Sequence, residues 1–261
     1  IAARQHRRLV QGDVALRWQP TDTLTAFVRS ASAARAAGWN LLDVATQPAA
    51  LPVETGWHHE AGARAGLAGG RLFISAAGFV ATTRAALSPL LGIDPAAPGG
   101  GRLFGNRGLD LSVAARPVTG LDVAASLAVQ RARWRRIDPA RPGDRPLFAP
   151  DVVASLSAAW AQPLAGTGAV LVPRAALRWR DAMAVATGDI PGANGGIAPA
   201  GWEAAAALQL DIPDPGGGDL GWLVSLECEN CLASRLVDGA AGGLPVLNRP
   251  RWWQLRLARR F

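Results

Sequence analysis

Lysine and tyrosine are absent from this chain of 261 residues, and cysteine occurs only twice. All 27 basic residues are therefore arginine, a bias that GC-rich codon usage explains. Against 20 acidic residues they leave a net charge of +7 and a pI near 11.2. A nucleic-acid binder of that charge would gather its cations on one helix, or in a run with interleaved aromatics. Here the arginines are spread along the chain, so no nucleic acid is expected as a partner. Long apolar runs are missing too. None reaches ~18 residues, which excludes a membrane-crossing helix. The chain starts at Ile1 without a charged-then-apolar leader, so either processing removed one or the chain is a fragment.

Reactive constellations are equally scarce. Cys228 and Cys231 form a lone C-x-x-C. Zinc would need more ligands, and a thioredoxin-type site would need a βαβ context. A small disulfide or two unpaired thiols remain, and a straight strand would hold such a pair in poor bridging geometry. No Ser-His-Asp set, pair of acid/base carboxylates or metal cluster is visible. Gly99-Gly100-Gly101 lacks the strand-helix setting of a phosphate loop. The chain is therefore read as no enzyme, with no catalytic residue, metal or cofactor.

What the chain does have is alternation. In residues 121–130, Leu121, Val123, Ala125, Leu127 and Val129 point one way, and Asp122, Ser126 and Gln130 the other. In residues 202–212, Trp202, Leu208, Leu210 and Ile212 oppose Glu203, Gln209 and Asp211. In residues 170–180, Leu171, Leu177 and Trp179 oppose Arg174, Arg178 and Arg180. At the end of the chain, Trp253, Leu255, Leu257 and Phe261 share one face, and Gln254, Arg256 and Arg260 the other. Neighbouring side chains of a strand point to opposite sides, so each segment wants oil on one face and water on the other. A soluble sandwich alternates as well, but an arginine-rich inner face suits a wet lumen better than a packed core.

Turn residues recur every 46 to 50 residues or so, near Pro20-Thr21-Asp22, Ala68-Gly69-Gly70, 117–120, 165–168 and 214–218. Longer Gly, Pro and Ala-rich stretches separate them, as at 88–101, 138–148 and 184–199. Short turns alternating with long loops are the habit of outer-membrane barrels. Trp18, Trp57, Trp160, Trp179, Trp202, Trp222 and Trp253 sit near segment ends, where indole would meet lipid headgroups. The predicted fold is all-β. It is an antiparallel transmembrane β-barrel with eleven strands here: 13–20, 23–32, 53–67, 71–86, 103–117, 121–136, 149–163, 169–182, 199–212, 220–230 and 250–261. Residues 1–12 read as the end of a preceding loop.

Several segments carry a family resemblance. Residues 14–40 resemble the pair of strands around a "rptd-ltly" turn in TonB-dependent receptors. Residues 53–84, with Glu60, Gly62, Leu72 and Phe79, resemble the family's "yElG-K … g-rl-ln-a-F" hairpin. Residues 105–118 are similar to its "rGvEle" strand, and 249–261 to its "pR-w-lsl-yrF" ending. Trp253, Leu255, Leu257 and Phe261 also resemble a C-terminal barrel-sorting signal, with Arg259 a departure from it. The "frap" segment reads Ala34-Arg35-Ala36-Ala37, and a haem-type "NPNL" motif is not visible near 47–54.

The resemblance implies that residues 1–261 are the second half of a 22-stranded barrel, without its plug domain and first half. It implies periplasmic short turns, extracellular long loops and a place in the outer membrane of a Gram-negative bacterium. It implies import of a scarce ligand, a ferric siderophore before cobalamin, haem or a sugar. The implied partners are the TonB complex acting through the plug, the barrel assembly machinery, and lipid or lipopolysaccharide. Inward residues near the extracellular ends would meet the ligand: Arg178 and Arg180, and more loosely His58, Arg133 and Trp134. Guanidinium stays charged and grips carboxylates bidentately, which suits anionic chelates. Lumen carboxylates or lipid headgroups could equally pair with these arginines, and Glu60 could pair with Arg64. A passive pore, an adhesin barrel and a soluble all-β binding domain are the alternatives.

Overall fold

A computed structural model describes residues 9–35, 54–84, 103–136, 145–146, 148–185, 196–214, 221–241 and 244–260. The loop stretches 88–101 and 186–195, most of 138–148, residues 215–218 of the last expected turn and Phe261 lie outside them.

The alternating segments form strands, because each can satisfy its backbone only through neighbours on both sides. In chain order these are β1 (Gly12–Thr21), β2 (Leu24–Arg35), β3 (Glu54–Leu67), β4 (Leu72–Arg84), β5 (Leu103–Ala115), β6 (Leu121–Arg136) and β7 (Val152–Trp160). There follow β8 (Gln162–Pro163), β9 (Val170–Arg180), β10 (Met183–Ala184), β11 (Ile197–Ala198) and β12 (Gly201–Pro213). The last four are β13 (Gly221–Glu229), β14 (Val237–Ala241), β15 (Leu244–Leu247) and β16 (Trp252–Arg260). The long strands make one antiparallel sheet in the order β1-β2-β3-β4-β5-β6-β7-β9-β12-β13-β16. These are the eleven predicted strands, with ends that differ by a few residues. The segment expected over 149–163 is broken at Ala161, where the amide bonds to Gly120 and β8 begins as a separate short pairing with β9. Among the described residues β1 and β16 are each paired on one side only.

Register sorts the residues by chemistry. Every carboxylate in the eleven long strands, from Asp13 in β1 to Glu229 in β13, falls on one face. The other face carries Val14, Leu16, Val28, Leu109, Val129, Leu208, Leu226, Leu255 and Leu257. These are exposed: Leu16 by 71%, Leu255 by 73% and Leu257 by 64%. No second sheet covers them among the described residues. A water-exposed apolar face of this extent is not tolerated by a soluble protein.

The carboxylate face is the concave one. A hollow of about 730 Å³ is lined jointly by Phe73 of β4, Ala114 of β5, Ala124 of β6, Ser157 of β7, Ala176 of β9 and Ala205 of β12. Six neighbouring strands can share a hollow only from inside a curve. All seven tryptophans singled out above lie on the convex register within three residues of a strand end. Arg259 is on the convex register as well, its guanidinium 5.4 Å from the Trp222 ring, where a cation is stabilised by the π-face.

The buried cluster of this chain lies beyond the sheet. Met183 of β10, Ala198 of β11, Val185 and Val237 of β14 pack together, with Phe148 against them. They sit at the end where β9 runs out and β12 begins, which is the long-loop end. β10 pairs with β11, and β14 with β15. None of these four short strands was expected from the sequence, which reads there as loop.

Candidate functional site

The concave face carries its polar groups in rows. Ser75, Ser112, Ser126 and Ser155 are successive cross-strand partners in β4, β5, β6 and β7. The Ser126 and Ser155 hydroxyls hydrogen-bond at 2.7 Å. The row starts at Thr25 and Arg64, beside a short turn, and ends at Arg178 and Glu203, at the long-loop end. Strand tilt and shear make a line of cross-strand neighbours climb the wall, so one row spans the height of the sheet. Alternation alone places each serine inward but cannot align four of them.

Two aromatic stacks stand beside the row. Phe27 lies over Gly62, where an added Cβ would meet the ring at 2.8 Å, and Arg64 sits 5.0 Å above that ring. Phe79 lies over Gly108 in the same way, at 2.7 Å, and His58 stacks on Phe79 at 5.8 Å. The glycines supply flat floor on which a ring can lie against the neighbouring strand.

The candidate residues fall into different surroundings. His58 points inward and pairs with Glu60 at 3.7 Å. Glu60 therefore has His58 as its neighbour, while Arg64 takes the Phe27 face, in place of the Glu60–Arg64 pair expected from the sequence. His59 points outward and stacks on Trp57, ring centroids 6.1 Å apart. Arg178 points inward opposite Ser155 and Glu203. Arg180 also points inward and is 11% exposed; it donates to Asp238 Oδ1 at 2.9 Å and to the Val237 carbonyl at 2.8 Å.

Arg133 and Trp134 do not share a face. Trp134 lies opposite Phe104 on the concave register, and Arg133 opposite Gly105 on the convex one. The Arg133 guanidinium turns to Asp151 through two contacts of 3.3 Å, and Arg145 reaches the same carboxylate at 2.8 Å. Neighbours in a strand cannot both point inward, so only one of the two was available to a lumen.

Sequence reasoning missed the residues that hold the loop between β13 and β16. Asn248 donates to Glu203 Oε1 at 3.2 Å and accepts from the Leu236 amide at 3.0 Å. Asn230 donates to the Ser234 and Arg249 carbonyls at 2.8 and 2.9 Å. Neither asparagine stands in an alternating segment or a motif, so nothing marked it. The sulfurs of Cys228 and Cys231 are bonded across the turn at the end of β13, with Cα atoms 5.7 Å apart. The strand stops at Glu229 and Asn230 adopts a positive φ of 46°, so the pair is not held in a straight strand. Among the described residues, two buried side-chain polar atoms have no partner: Asn106 Oδ1 and Arg180 Nε. Both side chains lie on the concave register of their strands.

At the opposite end, Arg116 donates to Asp122 at 2.6 Å, and this bond holds its guanidinium above the ordinary arginine value. Among the described residues no group of three or more His, Cys, Asp or Glu could hold a metal.

A family model described as TonB dependent receptor-like, beta-barrel, matches residues 4–208. The chain belongs to the TonB-dependent receptor family. This is a family of receptors, not of enzymes. Solved receptors share the fold of this receptor chain. The ferric preacinetobactin receptor of Acinetobacter baumannii aligns with a TM-score of 0.75 and 14% identity, over 95% of this chain and 36% of that one. The ferric yersiniabactin uptake receptor of Yersinia pestis gives 0.73 and 18%, over 96% and 37%. The ferripyoverdine receptor of the outer membrane of Pseudomonas aeruginosa gives 0.69 and 15%, over 95% and 32%. This receptor chain thus spans about a third of each neighbour's length. No curated protein sequence matches it.

Proposed function

We propose that this chain is the C-terminal half of the barrel of an outer-membrane TonB-dependent receptor that imports a scarce ligand, a ferric siderophore before any other. The observation that carries the reading is the sorting of charge. Carboxylates and the serine row face the hollow, while leucine, valine and tryptophan dominate the convex face. That is the division a wet lumen and a lipid exterior require. The unpaired edges of β1 and β16 are where the rest of the barrel joins, since lipid does not accept an open sheet edge. A plug domain outside this chain would couple the barrel to the TonB complex.

The ligand side would be the long-loop end. His58, Arg178 and Arg180 face inward there, as does Asn106, and among the described residues Arg180 Nε and Asn106 Oδ1 are buried without a protein partner. Trp134 shares that face by register. A fixed guanidinium suits an anionic ferric chelate. That three aligned neighbours are ferric-chelate receptors supports this choice of ligand. Trp253, Leu255 and Leu257, ahead of Phe261, would be read by the barrel assembly machinery.

The test is uptake of radiolabelled ferric siderophores by iron-starved cells of the source bacterium, with and without the full-length gene. Loss of energy-dependent uptake on deletion is expected. Solute entry that continues after the proton gradient is collapsed would show a passive pore instead.

A further inference from the structure

Arg107 of β5 and Arg131 of β6 are direct cross-strand partners on the convex face. Like charges in that relation repel one another. Nothing on the face offsets them: its register in the eleven long strands holds no carboxylate, and among the described residues neither guanidinium has an ion pair. A counter-anion must come from outside the sheet. We infer that Arg107 and Arg131, with His59 on the same rung of the wall, seat a phosphate-bearing lipid of the surrounding bilayer leaflet. The inference rests on the outer-membrane reading above.

The shape of the wall favours a lipid over a free anion. An outward groove of about 680 Å³ runs beneath the cations. Its floor is Ala61 and Gly78, which are direct partners in β3 and β4. A Cβ at Gly78 would come no nearer than 3.8 Å to another heavy atom, so the glycine leaves open depth rather than a tight contact. Val28, Leu109 and Val129 form its apolar sides, and they are exposed by 56%, 50% and 40%. Along β6, Arg131 follows the outward run from Leu121 to Val129, so the guanidiniums stand at the rim of the apolar band on the long-loop side. A cationic rim over an apolar trough fits a phosphorylated headgroup with an acyl chain lying below it. Planar guanidinium donates two parallel hydrogen bonds to phosphate oxygens, which makes paired arginines a selective cradle.

The full-length receptor, purified in detergent, tests this by native mass spectrometry and titration. The probes are diphosphorylated lipid A, lipid A of the same acylation without phosphate, and inorganic phosphate. Tight retention of the diphosphorylated form alone is expected. R107Q and R131Q should each weaken it about tenfold, as loss of a charge-assisted bond does. Gly78→Leu, which fills the trough without touching the arginines, should weaken it as well. R84Q, at another outward arginine, should not. Equal retention by wild type and R107Q/R131Q, or an equal loss in R84Q, overturns the site. So does inorganic phosphate that binds as tightly as the lipid. Heat-modifiable gel migration of each preparation separates the two readings. A folded, bilayer-inserting receptor that ignores the arginines sinks this inference alone, while a receptor that does not insert sinks both.

Discussion

Arg180 and Asp238 are 58 residues apart in the chain and 2.9 Å apart in space. Their contact ties the concave face of β9 to the β14–β15 hairpin. The same guanidinium holds the Val237 carbonyl, and Val237 belongs to the buried cluster with Met183, Val185 and Ala198. In the full-length receptor, R180Q should loosen this hairpin without dissolving the sheet. Amide exchange over 236–248 should speed up about tenfold or more, the effect of losing a hydrogen bond to a charged group. Unchanged exchange there would mean that the apolar cluster alone holds the loop.

Gly62 and Gly108 are floor under Phe27 and Phe79. Gly108→Val would drive a Cβ into the Val129 carbonyl and the Phe79 ring, at 2.5 and 2.7 Å. Overpacking of this kind costs about 1 to 3 kcal/mol. The variant receptor should unfold at lower urea, read by the shift from folded to unfolded gel mobility. Gly78→Val, which has open space, should not shift the midpoint.

The two cysteines can be counted chemically. Alkylation of the denatured receptor should label neither Cys228 nor Cys231 before reduction and both after it, read as a mass increment of two adducts. The double variant C228S/C231S closes no loop. By chain entropy it should lose no more than about 2 kcal/mol, because the ring is so short. Labelling without reductant would show free thiols.

Arg178 and Arg133 give opposite expectations for the ligand. Arg178 faces the hollow opposite Glu203, whereas Arg133 is held by Asp151 on the convex register. R178Q should weaken binding of an anionic ferric chelate to the full-length receptor about tenfold, the size of one charge-assisted hydrogen bond. R133Q should leave affinity within about twofold and instead loosen the loop carrying Asp151. Calorimetric titration of both variants decides it, and equal losses would place the ligand elsewhere.

The fold was largely legible before any coordinates. Alternation has period two in both strand and sequence, so Leu121 to Val129 or Trp202 to Ile212 announce a face without knowledge of any neighbour. The strand count, the first four short turns and the outward tryptophans follow from that local signal. The candidate site was legible only as a direction. That Arg178 and Arg180 point inward is a matter of parity. That Arg180 is spent on Asp238 is a matter of which loop lands beside it, and residues 231–249 carry no periodicity that would show it.

Residue order alone was enough for what depends on one long strand at a time: the existence of the eleven and the two faces of each. Pairing in space was needed for everything that depends on two. The serine row from β4 to β7, the opposed Arg107 and Arg131, and the rings of Phe27 and Phe79 on their glycines all arise from register. A slip of one residue would turn every side chain of a strand to the other face. Register is set by hydrogen bonds between segments that no local pattern can see.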